Sequence, residues 1–146
     1  MSIIAKVKNR IRCALLIDDD AVSHFISRLL IEQLHLVDEC ISYYNGATAL
    51  QLLMEEQRSG LSFPGVILLD LNMPVMGGVE FLEDLNELEE LSFLLKRILV
   101  LTSSNSTKDV EMVSKLGARG YLTKPLLAQT LSPLLTDLML EKESQD

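Results

Sequence analysis

The chain has 146 residues, a formal net charge of −8, 48% apolar and 23% charged residues, the profile of one globular domain able to bury about two-thirds of its unfolded surface. The acidic balance argues against non-specific binding to nucleic acid or to an anionic membrane, and no apolar stretch has the roughly 18 residues of a membrane span or the run of a secretory signal. Cys13 and Cys40 fall in or beside predicted strands without a framework pattern, so they read as reduced thiols of a cytoplasmic protein.

Residues 1–10 read as a solvated lead-in, with Lys6, Lys8 and Arg10 followed by Arg12 and no acid among them. The folded domain is expected over 11–142, with a frayed polar tail at 143–146. The first strand spans about 11–17. The stretch 21–34 then places Val22, Phe25, Ile26, Leu29 and Leu30 at helical spacing, which predicts that this face turns inward. Glu39-Cys40-Ile41-Ser42-Tyr43 is a weaker strand. Asn45 can cap a helix over 47–56, with Ala49, Leu50, Leu53 and Met54 as its apolar face. A loop over 58–65 closes on Phe63-Pro64-Gly65.

Residues 66–70 form a third strand, apolar until Asp70, as a strand covered on both faces should be. A helix over 78–88 turns Phe81, Leu82 and Leu85 inward, and a fourth strand covers 97–102. Ser106-Thr107-Lys108-Asp109 can start a helix that runs to Leu116 and stops at Gly117, and 120–123 is a fifth strand. In the last helix Pro133 would remove an interior backbone bond. Ser132-Pro133 instead suits a cap and first turn, which predicts a break near Leu131 and a main helix from Pro133 to about Glu141. Five alternating strand and helix units without an antiparallel signal imply α/β architecture: a doubly wound, five-stranded parallel sheet with its ligand crevice at the carboxyl ends of the strands.

Those strand ends carry the chemistry. Ala14-Leu15-Leu16-Ile17 stops on Asp18-Asp19-Asp20, Val66-Ile67-Leu68-Leu69 on Asp70, Ile98-Leu99-Val100-Leu101 on Thr102-Ser103, and Gly120-Tyr121-Leu122-Thr123 on Lys124-Pro125. Two carboxylates about 5 Å apart repel by about 3 kcal/mol at an effective dielectric near 20. Lys124 offsets one charge, and a hard divalent ion such as Mg²⁺ suits the remaining oxygens. With neither His nor Cys in the group, zinc is disfavoured. A carboxylate beside such an ion can act as a nucleophile toward phosphorus, with an ammonium and a hydroxyl to stabilise the equatorial oxygens. Asp70, Asp19, Lys124 and Thr102 fit these roles.

LLIDDD, ILLDLNMPVMGG, ILVLTSS and GYLTKPL, standing in that order, resemble the receiver domain of bacterial two-component response regulators, of the stand-alone, CheY-like kind. The resemblance covers about residues 12–140. It implies a (βα)5 flavodoxin-like, CheY-like sheet of strand order 2-1-3-4-5. It implies that Asp70 accepts a phosphoryl group, that Asp19 binds Mg²⁺ (or Mn²⁺) directly, that Asp18 holds a metal-bound water, and that Asn72 gives its backbone carbonyl to the metal. It further implies that Thr102 bonds the phosphoryl oxygen, that Lys124 pairs with the phosphate behind a cis Lys124–Pro125 bond, and that Tyr121 is a switch aromatic. Asp20 is expected to cap the first helix. Asn72 and Ser104 stand where the family varies. The stretches 55–65 and 85–96 are longer than in the shortest receivers.

The implied donor is the phosphohistidine of a histidine kinase or histidine phosphotransfer protein. No output domain follows Lys124, so the message is expected to pass to an unknown downstream protein through the fourth helix, fifth strand and last helix. Leu131, Leu134, Leu135, Leu138, Met139 and Leu140 make homodimerisation there an alternative to simple coverage of the sheet edge. Such a chain is no turnover enzyme: it promotes only its own phosphorylation and dephosphorylation. Two rivals remain. One is a receiver-like binding module that never takes phosphate. The other is a haloacid dehalogenase-like phosphatase with Asp18 as nucleophile and Asp20 as acid, which would need a further acidic pair that Asp137, alone in a predicted helix, does not supply. A flavodoxin-like electron carrier would need a phosphate-binding loop where three acids stand instead.

Overall fold

The computed structural model describes residues 10–60, 62–73, 76–103 and 106–145, with side chains described through Glu141. Most of the basic lead-in, Pro74, Ser104 and the final residue of the tail lie outside the described residues. Five strands, β1 (Ile11–Ile17), β2 (Val37–Tyr43), β3 (Val66–Asp70), β4 (Ile98–Thr102) and β5 (Gly120–Thr123), form one sheet in the order β2-β1-β3-β4-β5. Every pairing is parallel, as helical crossovers require.

The crossovers are α1 (Ala21–Leu34), α2 (Gly46–Ser59), α3 (Gly78–Glu87) and α4 (Thr107–Lys115), and the chain ends in α5 (Ala128–Gln145). Ala49 and Leu53 of α2, Phe81, Leu82 and Leu85 of α3 and Val113 of α4 meet Leu15, Ile17, Ile67 and Leu69 on one face of the sheet. Ile31 of α1 and Leu131, Leu135 and Leu138 of α5 meet Leu16, Leu68, Leu99 and Leu101 on the other. All five residues of β3 are buried, which explains its unbroken apolar run.

Three elements differ from the sequence expectation. In α1 the buried residues are His24, Ser27 and Ile31, while Val22, Phe25, Ile26 and Leu29 are exposed. Of the predicted inward face only Leu30 packs against the core. The last helix starts at Ala128 and runs unbroken through Pro133. Leu127 accepts from the Thr130 and Leu131 N–H groups, and burial of Leu126 and Leu131 holds the first turn ahead of the proline, so one missing bond is tolerated. The stretch 85–96 leaves α3 and forms a 3₁₀ helix, Ser92–Arg97. It buries Leu91, Leu94 and Leu95, so its leucines are core and its acids are surface.

At its edge β2 starts two residues earlier than the pattern showed, because an edge strand lacks a continuous apolar signature. Its acids pair with the start of β1: Arg10 Nε lies 3.2 Å from Asp38 and Arg12 Nη1 3.8 Å from Glu39. Such exposed pairs contribute about 0–1 kcal/mol each.

Candidate functional site

Parallel register brings the strand ends to one level. Ile17 faces Leu69 across β1 and β3, and Asp70 faces Leu101 across β3 and β4. Asp18 therefore emerges beside Asp70, and Thr102 one residue beyond it. Thr102 faces Thr123 of β5, so Lys124 leaves the sheet on the same rim. Gly78 lets α3 start against the end of β3: a Cβ there would meet Leu71 Cα at 2.7 Å and Asp70 O at 2.8 Å.

Asp18, Asp19 and Asp70 each offer a carboxylate oxygen, all within 4.8 Å of one another. Asp18 and Asp70 are buried and Asp19 is exposed. Lys124 Nζ lies 3.0 Å from Asp18 Oδ2 and 3.5 Å from Asp70 Oδ1, and it donates to Ser23 Oγ at 3.3 Å. Asp18 is fixed from several sides. Its N–H donates to Tyr43 O at 3.1 Å, and its Oδ1 accepts from the Asp20 N–H at 2.9 Å. Asp20 stands outside the triplet and caps α1, accepting from the Val22 N–H at 3.1 Å.

Asp70 is 4% exposed. Burial pushes its carboxyl up to about 6, with Asp18 and, more weakly, Asp19 adding repulsion, while Lys124 and the Asn72 N–H pull the other way. Burial alone would lower the Lys124 ammonium, but the Asp18 and Asp70 carboxylates outweigh it and raise its pKa. Among the described residues one cation stands against three carboxylates, which leaves negative charge uncompensated. Oxygen donors without nitrogen or sulfur are the set that hard divalent ions prefer, so these residues fit Mg²⁺ or Mn²⁺.

Asn72 donates its backbone N–H to Asp70 Oδ1 at 3.3 Å and its side-chain amide to Thr102 Oγ1 at 3.2 Å. Thr102 is fully buried and shares a side-chain hydrogen bond with Tyr121. Tyr121 is half-buried against the core of the α2–α4 face, so carboxylate, hydroxyl and aromatic form one contiguous path. The Lys124–Pro125 peptide is cis. Asp18, Asp19, Asp70, Asn72, Thr102 and Lys124 thus gather on one rim. Sequence reasoning missed two that touch this group, Ser23 and His24. Both lie in the first turns of α1, and His24 sits on the helix face that the apolar pattern did not mark as inward. The polar i, i+3 pair His24 and Ser27 ahead of Ile31 was the available signal.

A family model described as the response regulator receiver domain matches residues 14–136. The chain is 28% identical over 122 residues to the "Probable C4-dicarboxylate response regulator DctR" of Halalkalibacterium halodurans, which covers 84% of this chain and 49% of that protein. It spans half or less of the length of several such relatives. It is 25% identical to the chemotaxis protein CheY of Halobacterium salinarum, over 86% of this chain and 94% of that one. A crystal structure of a two component response regulator from Cytophaga hutchinsonii superposes with a TM-score of 0.78 at 30% identity, covering 90% of this chain and 98% of that chain.

Proposed function

This chain belongs to the response regulator receiver domain family, and on that premise we propose that Asp70 accepts a phosphoryl group from the phosphohistidine of a histidine kinase or histidine phosphotransfer protein. An Asp70 carboxylate oxygen attacks phosphorus, the P–N bond to the imidazole breaks, and the leaving nitrogen takes a proton. Water later cleaves the acyl phosphate and returns Asp70 as a carboxylate. The observation that carries this reading is the position of Lys124, within ion-pair reach of Asp18 and Asp70 at once, beside a triplet of carboxylate oxygens within 4.8 Å.

A bound Mg²⁺ would be held by Asp19 and Asp70, by Asp18 through water and by the Asn72 carbonyl, and would neutralise charge on the transferring group. Lys124 pairs with the phosphoryl oxygens from its side of the pocket. Thr102 donates its hydroxyl to one of them, since in its bond to the Asn72 amide its oxygen is the acceptor and that bond leaves the proton available. One to three charge-assisted hydrogen bonds of about 1.5–3 kcal/mol each can supply most of the roughly 5.5 kcal/mol that reverses a 1:99 population. Because Tyr121 already bonds Thr102, rearrangement of the hydroxyl reaches the α4–β5–α5 face, where a downstream protein docks. Leu134 and Met139 pack against the core there, which leaves Leu127 and Leu140 exposed. Light scattering with and without a phosphoryl mimic separates a homodimer on this face from an unchanged monomer.

The donor protein docks over α1, whose Val22, Phe25, Ile26 and Leu29 form an exposed apolar strip beginning just after the acid pair. The chain works as a cytoplasmic signalling switch without turnover of free substrate. Use of Asp20 as a helix cap, outside the carboxylate triplet, weighs against a phosphatase built on Asp18 and Asp20. No described helix is long and apolar enough to cross a membrane.

The test is incubation with acetyl phosphate and Mg²⁺, with the adduct mapped by mass spectrometry. A single phosphoryl group on Asp70 that is absent from Asp70→Asn is expected. An unlabelled chain favours the phosphate-independent binding module, and steady turnover of phosphate esters favours the phosphatase.

A further inference from the structure

His24 is a buried titratable side chain that the chemistry above does not use. It sits in α1, 3% exposed, with Nε2 at 2.7 Å from the main-chain oxygen of Asp18. A carbonyl oxygen only accepts, so Nε2 carries a proton and is the donor. Nδ1 is buried without a hydrogen-bond partner among the described residues. A buried polar atom left unpaired costs stability, and a leucine would fill the same space without it. Stability alone therefore does not account for this ring, whereas its one bond does.

That bond acts on a particular peptide group. The Asp18 carbonyl belongs to the plane that joins Asp18 to Asp19, so its direction sets where the Asp19 side chain leaves the backbone. The Asp19 carboxylate has no hydrogen bond or ion pair of its own among the described residues, unlike Asp18, whose two oxygens are taken by the Asp20 N–H and by Lys124. Tyr44 stacks on the His24 ring with centroids 4.5 Å apart and planes at 55°. Its neighbour Tyr43 holds the Asp18 N–H. The end of β2 thus braces both the ring and the N–H side of Asp18, and α1 braces the carbonyl side.

We infer that His24, backed by Tyr44, is a positioning residue for the divalent-ion site: through its Nε2–H bond to the Asp18 carbonyl it aims the Asp19 carboxylate and so sets the affinity for the ion. The inference rests on the reading of the acid triplet as an ion site. Groups that orient metal ligands from outside the coordination shell typically change affinity by about 10–100-fold when removed.

The test titrates Mg²⁺ into wild type, His24→Leu and His24→Gln, by calorimetry and by the Mg²⁺ concentration that half-saturates Asp70 labelling. Leucine keeps burial and removes the donor, while glutamine places an N–H at similar reach. His24→Leu is expected to need about tenfold more Mg²⁺ in both assays, with the labelling rate at saturating Mg²⁺ near that of wild type, and His24→Gln to recover to within about twofold. Wild-type affinity in His24→Leu, or no recovery in His24→Gln, overturns the inference. Nitrogen NMR of the unaltered chain decides the matter even where a variant does not fold. The expected ring carries a solvent-protected proton on Nε2, and its resonances move with the Mg²⁺ midpoint. A proton on Nδ1 alone, or a ring that does not sense Mg²⁺, overturns the inference. A wild type that neither binds Mg²⁺ nor is labelled defeats the ion-site reading instead, and that outcome is seen before any variant is made.

Discussion

Two helices start at the functional rim, α1 after the Asp18–Asp19 pair and α3 after Asp70, and they use their apolar residues in opposite ways. In α3 the spacing of Phe81, Leu82 and Leu85 is the spacing of its buried face. In α1 the residues with the clearest helical spacing, Val22, Phe25, Ile26 and Leu29, point to solvent, and the inward positions go to His24 and Ser27 as well as Ile31. Apolar periodicity identifies a helix in both cases. It identifies the core-facing side only where core packing is the sole demand. In α1 the inner face carries the His24 bond to Asp18, and the apolar residues of the outer face stay exposed.

The comparison is sharpest in stability. Phe81→Ala should cost about 3–5 kcal/mol in urea unfolding, because a fully buried ring leaves a cavity. A cost below about 1 kcal/mol would mean that α3 is not anchored as described.

A gain is expected at the rim between the helices. The folded-state pKa of Asp70 is raised from 3.8 to about 6, so between those values the folded chain holds a proton that the unfolded chain has lost. Stability from this group is complete below the lower value and declines as pH rises through the upper one. Without divalent ion, Asp70→Asn should therefore be more stable than wild type at neutral pH by about 2–3 kcal/mol, and the difference should vanish near pH 3. Denaturant midpoints across pH measure it, and equal stability at neutral pH would remove the electrostatic account of the cluster.

The smallest stability effect belongs to α1. Phe25→Ala, at a residue 67% exposed, should change folding stability by no more than about 0.5 kcal/mol. It should leave labelling by acetyl phosphate intact while slowing transfer from a phosphorylated protein donor. Loss of stability comparable to Phe81→Ala would return this face to the core.

Much of this was legible in the sequence. The boundaries of β1, β3 and β5 follow from apolar runs that stop on polar residues, and the helix caps Asp20 and Asn45 act through their side chains. The convergence of Asp18, Asp19, Asp70, Thr102 and Lys124 was legible because parallel strands place all their carboxyl ends on one rim. The direction of α1 was not, since the inward positions His24 and Ser27 are polar and apolar periodicity marks the opposite face. Nor was the continuity of α5 through Pro133, because propensity weighs the missing bond but not the burial of Leu126, Leu131 and Leu135 around it. The 3₁₀ helix at Ser92–Arg97 escaped for another reason: Leu91, Leu94 and Leu95 stand at i, i+3 and i+4, a spacing that marks a helical face but not the tighter turn.

The account depends on an acid cluster that is held together against its own repulsion and relieved by a divalent ion. Its most direct measurement is the unfolding free energy of the chain titrated with MgCl₂ at constant ionic strength, for wild type and Asp19→Asn. Binding to the folded state alone should stabilise wild type along a saturable curve, by about 2.7 kcal/mol at one hundred times the dissociation constant, and Asp19→Asn should need far more Mg²⁺ for the same gain. A wild type whose stability does not respond to Mg²⁺, or a response identical in Asp19→Asn, would contradict it.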